Sequence, residues 1–405
     1  MPKVSQRGIN SPSSPIRKLA PFADKAKSEG KHVFHLNIGQ PDIQTPQVAL
    51  DKINQDQSTV IQYGPAEGLL SLRNTFCEYY QKFGAVLATE DVYVCTGASE
   101  AIVFALSACC DPGDEVIIPE PFYANYIGFT NFCAAEVVPI TSYLDTAFSL
   151  PAIDSFKAKL TDRTKAIVLC NPGNPTGKVY PKKDLEAIID FVVQNDLFLI
   201  VDEVYKEFCY DHDFYSVLQF EKAREHVIVI DSVSKIFSLC GARVGFLATA
   251  NKAIQDSVLK FAQMRLCPPY HGQILAEAAF KNSYPYLEEV KAEYRIRRNT
   301  LNVALQKIDD IKIYLPEGAF YIIAELPVAD TDAFCQWMLS DFSYKNKTVM
   351  FSPASGFYFN TDLGKNQIRI AFILNSQDIR EAIECLSEGL KVYNDARIVA
   401  KQMST

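Results

Sequence analysis

Short, continuously apolar runs rich in β-branched residues recur through the first two-thirds of the chain. They cover Asp91–Thr96, Glu115–Pro119, Ala135–Ile140, Lys165–Cys170, Leu197–Val201, Val227–Asp231 and Val244–Thr249. Runs that do not alternate with polar residues suit strands covered on both faces. Between them, polar and apolar positions repeat at helical spacing over Glu100–Cys110, Lys182–Asn195 and Lys252–Arg265. The intervals from Asn174 to Asp202 and from Asp202 to Lys235 are each about 30 residues, the size of one strand–helix–strand unit. The pattern predicts an α/β fold. Its large domain, residues 48–285, holds a mostly parallel seven-stranded sheet flanked by helices.

Past Tyr284-Pro285 the pattern changes. Tyr286–Ile308 reads as one long amphipathic helix carrying Glu288, Glu289, Lys291, Glu293, Arg295, Arg297 and Arg298. Shorter strands follow at Phe320–Glu325 and Gln367–Ile373, with a last helix near Ser376–Tyr393. Residues 286–405 are therefore expected to form a smaller α+β domain. Residues 1–47 carry turn formers and little periodicity, so they are expected to pack across that domain rather than build a core of their own.

With 405 residues, 48% of them hydrophobic, the chain can support two cores. A net charge of −8, with no block of like charges, argues against a nucleic-acid surface. No apolar run approaches the ~18 residues that span a bilayer, so no membrane partner is expected. Met1–Ala20 is polar and has no apolar stretch of the secretory kind. Eleven cysteines are scattered singly apart from Cys109-Cys110, with no CxxC spacing. Buried reduced thiols in a cytoplasmic protein are the expectation. The five histidines form no HxH or HExxH pattern, so no metal is expected.

Candidate chemistry gathers at the ends of the predicted strands. Ser232-Val233-Ser234-Lys235 closes one apolar run and precedes Gly241-Ala242-Arg243-Val244-Gly245. An amine, two hydroxyls and a guanidinium thus lie just past a strand's carboxyl end, where α/β sheets bind ligands. Asp202, in Asp-Glu-Val-Tyr, ends the run Leu197–Val201. A carboxylate there requires a partner: a cationic ligand, a helix amino terminus or a structural ion pair. Glu203 should point to the opposite side of the strand. Asn174 sits in Asn-Pro-Gly-Asn-Pro-Thr-Gly, a turn stiffened by proline that can aim an amide. Thr96-Gly97-Ala98-Ser99-Glu100 joins strand to helix and directs the amides of Ala98 and Ser99 at an anion.

In these motifs, over nearly its whole length, the chain resembles the class I/II aminotransferases of pyridoxal-phosphate fold type I, in particular the aspartate aminotransferase branch. The cofactor implied is pyridoxal 5′-phosphate, which asks for a Schiff-base lysine, a carboxylate on its ring nitrogen and a phosphate cup. The resemblance gives these roles to Lys235, to Asp202, and to Ala98, Ser99, Ser232 and Arg243. It makes Tyr205 the donor to the ring 3′-oxygen, and Asn174 a contact of both that oxygen and the substrate carboxylate. Tyr123 would stack on the ring; core packing is the alternative, and Phe122 suits the stacking role less well. Arg369, in Gln-Ile-Arg-Ile-Ala-Phe, would clamp the substrate α-carboxylate together with the amide of Gly39. A lone arginine on such a strand would otherwise be a surface charge. Tyr63 resembles the tyrosine that reaches the phosphate of the neighbouring subunit, which implies a homodimer with shared sites.

The implied activity is ping-pong transfer of an amino group between an L-amino acid and a 2-oxo acid, with aspartate or glutamate favoured. Aromatic amino acids or kynurenine are the alternative, since Tyr123, Tyr270 and nearby phenylalanines could line an apolar pocket. A lyase or synthase of the same fold would share every cofactor residue. A dicarboxylic substrate needs a cation for its second carboxylate. Arg17 and Arg265 are candidates, with surface or dimer-interface roles as their alternatives.

Overall fold

The computed structural model describes residues 2–12 and 14–403. In chain order its strands are β1 (His32–His35), β2 (Val92–Cys95), β3 (Glu115–Glu120), β4 (Glu136–Thr141), β5 (Thr164–Cys170), β6 (Phe198–Asp202), β7 (Val227–Ser232) and β8 (Gly245–Ala248). Then come β9 (Lys312–Ile313), β10 (Tyr321–Glu325), β11 (Lys347–Met350), β12 (Ser352–Pro353) and β13 (Gln367–Ala371).

The large sheet runs β2-β8-β7-β6-β5-β3-β4. Its centre is dry on both faces: Ile167, Leu199, Ile200, Val201, Ile228, Val229 and Ile230 are all 0% exposed. That is why these strands read as unbroken apolar runs. Strand β8 is antiparallel to both β2 and β7, and the remaining pairs are parallel. The reversal has a simple cause. The β7–β8 link holds a four-residue helix, Val233–Ile236, in place of the longer helix a parallel crossover uses.

Strand register sets where chemistry can occur. Cys170 of β5 lies beside Asp202 of β6, and Asp202 beside Ile230 of β7. The carboxyl ends of β5 and β6 therefore finish level, β7 runs on past Ile230 to Ser232, and the Ser232–Lys235 turn rises from the same rim.

A second sheet, β12-β13-β10-β9, is antiparallel, and β1 pairs in parallel with β11. The amino-terminal segment is more regular than its sequence pattern suggests. It forms a helix, Ala20–Ser28, that packs against the helix Thr331–Ser340, and then β1. Its buried face is built from Ala23 and Ala26, with Val33 and Phe34 on a four-residue strand, too few and too small to register as a period. The long helix begins at Ser283, not Tyr286. Pro285 falls in its first turn, where an absent N–H leaves no bond unmade. Among the described residues no helix is long and apolar enough to cross a membrane.

Phe246 of β8 is 0% exposed and stacks on Phe76 with ring centroids 4.1 Å apart. Phe246→Ala should cost ~3–5 kcal/mol of unfolding free energy by removing a packed ring from a rigid core. A shift in the denaturant midpoint checks this; an unchanged midpoint would contradict the packing described.

Candidate active site

At the carboxyl-end rim of β5, β6 and β7 lies a cavity of about 490 Å³. Its walls include Gly39, Ala98, Ser99, Tyr123, Asn174, Asp202, Tyr205, Ser232, Lys235, Arg243 and Arg369, residues drawn from across the chain. Of the residues to which the resemblance gave a cofactor or substrate role, Tyr63 alone stands outside it, 80% exposed. Of the two candidate cations, Arg17 lines the cavity. Arg265 does not; it donates to the carbonyls of Ala66 and Val94, 3.1 and 3.3 Å away, and lies 3.7 Å from Glu100. Tyr270 is not part of the wall either.

Lys235 projects from the four-residue helix, whose amino end is capped by Ser232 accepting from the Ser234 amide at 3.1 Å. Its Nζ donates to the Gly39 carbonyl at 2.7 Å. Burial lowers the pKa of this amine, opposed by the Cys240 thiol and helped by the guanidinium of Arg369. A neutral amine is thereby more accessible than on a surface lysine. Asp202 faces the same space. Its Oδ2 accepts from the Tyr126 hydroxyl at 2.9 Å and its Oδ1 from the Val204 amide at 3.2 Å. Burial nevertheless pushes its pKa up to about 6. A protonated ligand nitrogen beside it would restore the charged form.

Another part of the wall has the donors an anion would need. The helix Ala98–Cys109 starts after Gly97, which has φ 77° and offers no side-chain cap, so the amides of Ala98 and Ser99 remain available. Arg243, itself left-handed at φ 53°, donates to the carbonyls of Thr96 at 3.3 Å and Cys240 at 3.1 Å. The two glycines here are demanded by contact. A Cβ on Gly97 would lie 2.3 Å from Arg243 Nη2, and one on Gly245 would lie 2.4 Å from the Gly97 carbonyl carbon. Ser232 Oγ is 2.9 Å from the Val244 carbonyl and 2.8 Å from Ser234 Oγ. With one hydroxyl proton to give, Ser232 serves one of these while Ser234 completes the chain.

At the cavity's other end Arg369 is 1% exposed. One of its nitrogens donates to Asn174 Oδ1 at 3.1 Å and another to the Asn37 carbonyl, while Nε is buried without a partner. Its guanidinium lies 4.5 Å from the Tyr321 ring centre and 4.8 Å from that of Phe357. Among the described residues no carboxylate pairs with it. A buried, unneutralised cation is costly unless an anionic ligand completes it. Gly39 sits beside it, and a Cβ there would lie 1.7 Å from the Tyr321 hydroxyl. That hydroxyl is 2.9 Å from the hydroxyl of Tyr205. Tyr123 is half-buried, accepts from Asn125 at 2.8 Å and meets Tyr126 edge-on. Phe122 is buried in the core, away from this wall.

Tyr126, Tyr321 and Asn37 are site residues that sequence reasoning missed. Tyr126 follows Tyr123 by three residues in the same Pro-Phe-Tyr-Ala-Asn-Tyr stretch, and its amide bonds the Tyr123 carbonyl at 2.9 Å. Nothing local marks Tyr321 or Asn37. The residues present fit pyridoxal phosphate: a depressed amine, a carboxylate wanting a cation, and a glycine-cleared cup beside an arginine.

The model of the aminotransferase class I and II family matches residues 31–386. An aspartate aminotransferase of Pyrococcus abyssi is 32% identical over 384 residues, covering 93% of this chain and 96% of its own. An aromatic-amino-acid aminotransferase of Thermococcus litoralis is 30% identical over 390 residues, covering 93% and 96%. Among solved structures, an alanine aminotransferase from Pyrococcus furiosus superposes with a TM-score of 0.89 at 29% identity, covering 96% and 100%.

Gly97→Ala should weaken binding of pyridoxal phosphate to the apoprotein by ~1–3 kcal/mol, because the methyl group meets Arg243 and the backbone is left-handed. Titration of the cofactor's visible absorbance measures this, and unaltered affinity would show that the cup does not hold the phosphate.

Proposed function

The chain belongs to the class I and II aminotransferases, which use pyridoxal phosphate, and from that premise we propose that it moves the amino group of aspartate or glutamate to a 2-oxo acid in a ping-pong cycle. The observation that carries the substrate class is a charge imbalance. The cavity wall holds Arg17, Lys235, Arg243 and Arg369 against one carboxylate, Asp202. Arg243 with the helix amides would take the cofactor phosphate, and Arg369 with Gly39 the α-carboxylate. Arg17 is then left over, with no ion-pair partner among the described residues, for a second carboxylate.

When bound, pyridoxal phosphate supplies an electron sink for the bond broken at the substrate Cα. The chain's own residues would do the rest. Asp202 holds a proton on the ring nitrogen. Tyr205 and Asn174 bond the 3′-oxygen, and Tyr123 covers the ring face. Ser232, Ala98, Ser99 and Arg243 fix the phosphate. Lys235, whose amine burial makes easier to deprotonate, takes the Cα proton and returns it. We read residues 1–47 and 286–405 as one smaller domain beside the large domain of residues 48–285, and the protein as cytoplasmic. We also read it as a homodimer in which Tyr63 reaches the partner's phosphate. The stretch around Tyr63 supports this, since Val60 and Ile61 are 68% and 56% exposed, an apolar surface that wants cover.

A second reading rests on the apolar part of the same wall. Ile16, Ile38 and Phe129 could pack an aromatic side chain, and one relative is named an aromatic-amino-acid aminotransferase.

Adding glutamate or aspartate to the holoenzyme should bleach the cofactor's visible band and release a 2-oxo acid; release of ammonia would mean a lyase. Lys235→Ala should lower turnover by at least roughly 10²–10⁴-fold, and retained turnover would refute the assignment. Arg17→Gln should raise KM for glutamate about tenfold, the equivalent of ~1.4 kcal/mol, with phenylalanine little changed. An unmoved glutamate KM with preferred turnover of phenylalanine would favour the aromatic reading.

A further inference from the structure

Behind the cavity rim lies a second set of ionisable side chains that the proposed chemistry leaves unused. Glu203, Lys206 and Asp231 are 0%, 1% and 0% exposed. Glu203 Oε1 accepts from Ser216 Oγ at 3.1 Å and the Val217 amide at 3.0 Å. Its Oε2 is 3.3 Å from the Tyr80 hydroxyl, which is 3.1 Å from Asp231 Oδ2. Lys206 donates to that same Asp231 oxygen, and the Ser232 amide to Oδ1 at 2.8 Å.

Counting protons decides the state of this chain. Tyr80 has one hydroxyl proton and two carboxyl neighbours. Burial raises the pKa of Asp231, but Lys206, the Ser232 amide and the Tyr80 hydroxyl all favour its charged form, so the shorter contact, Tyr80 to Asp231, is assigned the Tyr80 proton. The Tyr80–Glu203 contact is then a hydrogen bond only when Glu203 carries a proton of its own and donates it. Written that way, Glu203, Tyr80, Asp231 and Lys206 sum to zero charge, the condition under which such a cluster can be sealed from water. Ionised, Glu203 would add a second buried negative charge against one ammonium and strip Tyr80 of a donor.

The cluster is joined to the cofactor cleft by the backbone. Glu203 follows Asp202, Asp231 precedes Ser232, and the Glu203 amide donates to the Ile230 carbonyl at 2.8 Å. We propose that Tyr80 and a protonated Glu203 are positioning residues, whose neutral chain locks the ends of β6 and β7 and so holds Asp202 and Ser232 on the cofactor. Loss of the Glu203 proton loosens that grip. The proposal rests on reading Asp202 and Ser232 as cofactor residues.

Burial pushes Glu203 up to about 8, against the Val217 amide, the Ser216 hydroxyl and the Lys206 ammonium, with Asp231 adding to the rise. The remaining groups nearby are Tyr79, over whose ring Lys206 lies at 5.0 Å, and Glu207, which takes Tyr79 and Lys82 as partners. The sign of the linkage follows. Between the ordinary carboxylate range and about 8 the folded chain keeps a proton that the unfolded chain has lost, so stability falls as pH rises through that window and levels off above it.

The test measures cofactor release from the holoenzyme at about pH 7 and about pH 9.5, together with the thermal midpoint of the apoprotein against pH. Wild type should release cofactor at least roughly fivefold faster at the higher pH, as expected when a buried network gains an unpaired charge. Glu203→Gln keeps a donor toward Tyr80; it should match wild type near pH 7, lack the alkaline rise, and show a flatter midpoint curve. Tyr80→Phe should release faster at both pH values. An alkaline rise persisting in Glu203→Gln overturns the proposal, as does loss of cofactor by that variant at pH 7. A flattened midpoint curve with unchanged release would make the cluster purely structural, also overturning it. Wild type that takes up no cofactor at all would overturn this and the functional reading together.

Discussion

A carboxylate on the last residue of a strand buried on both faces is the constraint around which this molecule is arranged. Asp202 closes β6 among side chains that exclude water, and the strand that carries it is too well packed to let it move aside. Two hydrogen bonds do not compensate fully for lost hydration, and its affinity for protons stays raised. The surrounding cavity would make that cost useful, since a cationic ring nitrogen placed here would supply what the protein alone does not. Glu203, one residue on, meets the same difficulty on the other side of the strand end. There no ligand can reach, and a retained proton and a tyrosine bridge are the solution. Adjacent acidic residues thus have opposite fates because strand geometry sends them to opposite environments.

The same reasoning accounts for the cations. Arg369 is buried with no acid beside it among the described residues, stacked on aromatic rings, and left with an unused nitrogen. Such an arrangement lowers stability in the free protein and is sustained by a rigid frame: β13 holds the side chain, Asn174 and Asn37 hold its nitrogens, and Tyr321 supports its face. Arg243 is held in a left-handed backbone conformation that costs on the order of 1 kcal/mol or more. In both places conformational cost and charge are concentrated where a dianionic ligand and a carboxylic acid would bring the missing negative charge.

How much of this was legible in the sequence depends on the range over which each signal acts. The central strands were readable because burial on both faces leaves nothing polar in them. The motif residues were readable because the rim of a parallel sheet collects successive strand ends, so a lysine, an aspartate and a glycine turn at βαβ spacing must converge. The direction of β8 was not, since it depends on the connection lacking a crossover helix. Nor was the regularity of Ala20–Ser28, whose buried face is two alanines. Tyr321 and Asn37 act through partners 116 and 332 positions away, Tyr205 and Arg369, and no local pattern announces such pairs. The Glu203–Tyr80–Asp231–Lys206 chain is the clearest case. Its members come from three separate elements, and only three-dimensional proximity reveals that one hydroxyl proton is shared between two acids.

Tyr63 shows the converse. Its motif was plain in the sequence, yet in the single chain it stands in solvent with Val60 and Ile61 beside it. A lone exposed tyrosine requires no explanation, but a contiguous apolar stretch leaves hydrophobic surface in water at about 25 cal/mol per Å². The cavity has the complementary need, because Arg17, half of the anion cup and the mouth near Ile38 are open to solvent in the single chain. Covering both with a second copy would bury the apolar stretch and lower the dielectric around Arg17 and Arg243, which strengthens every ionic contact the site makes. On this view the strained, charge-rich cavity and the uncovered surface belong to one problem, and a symmetric partner would relieve both.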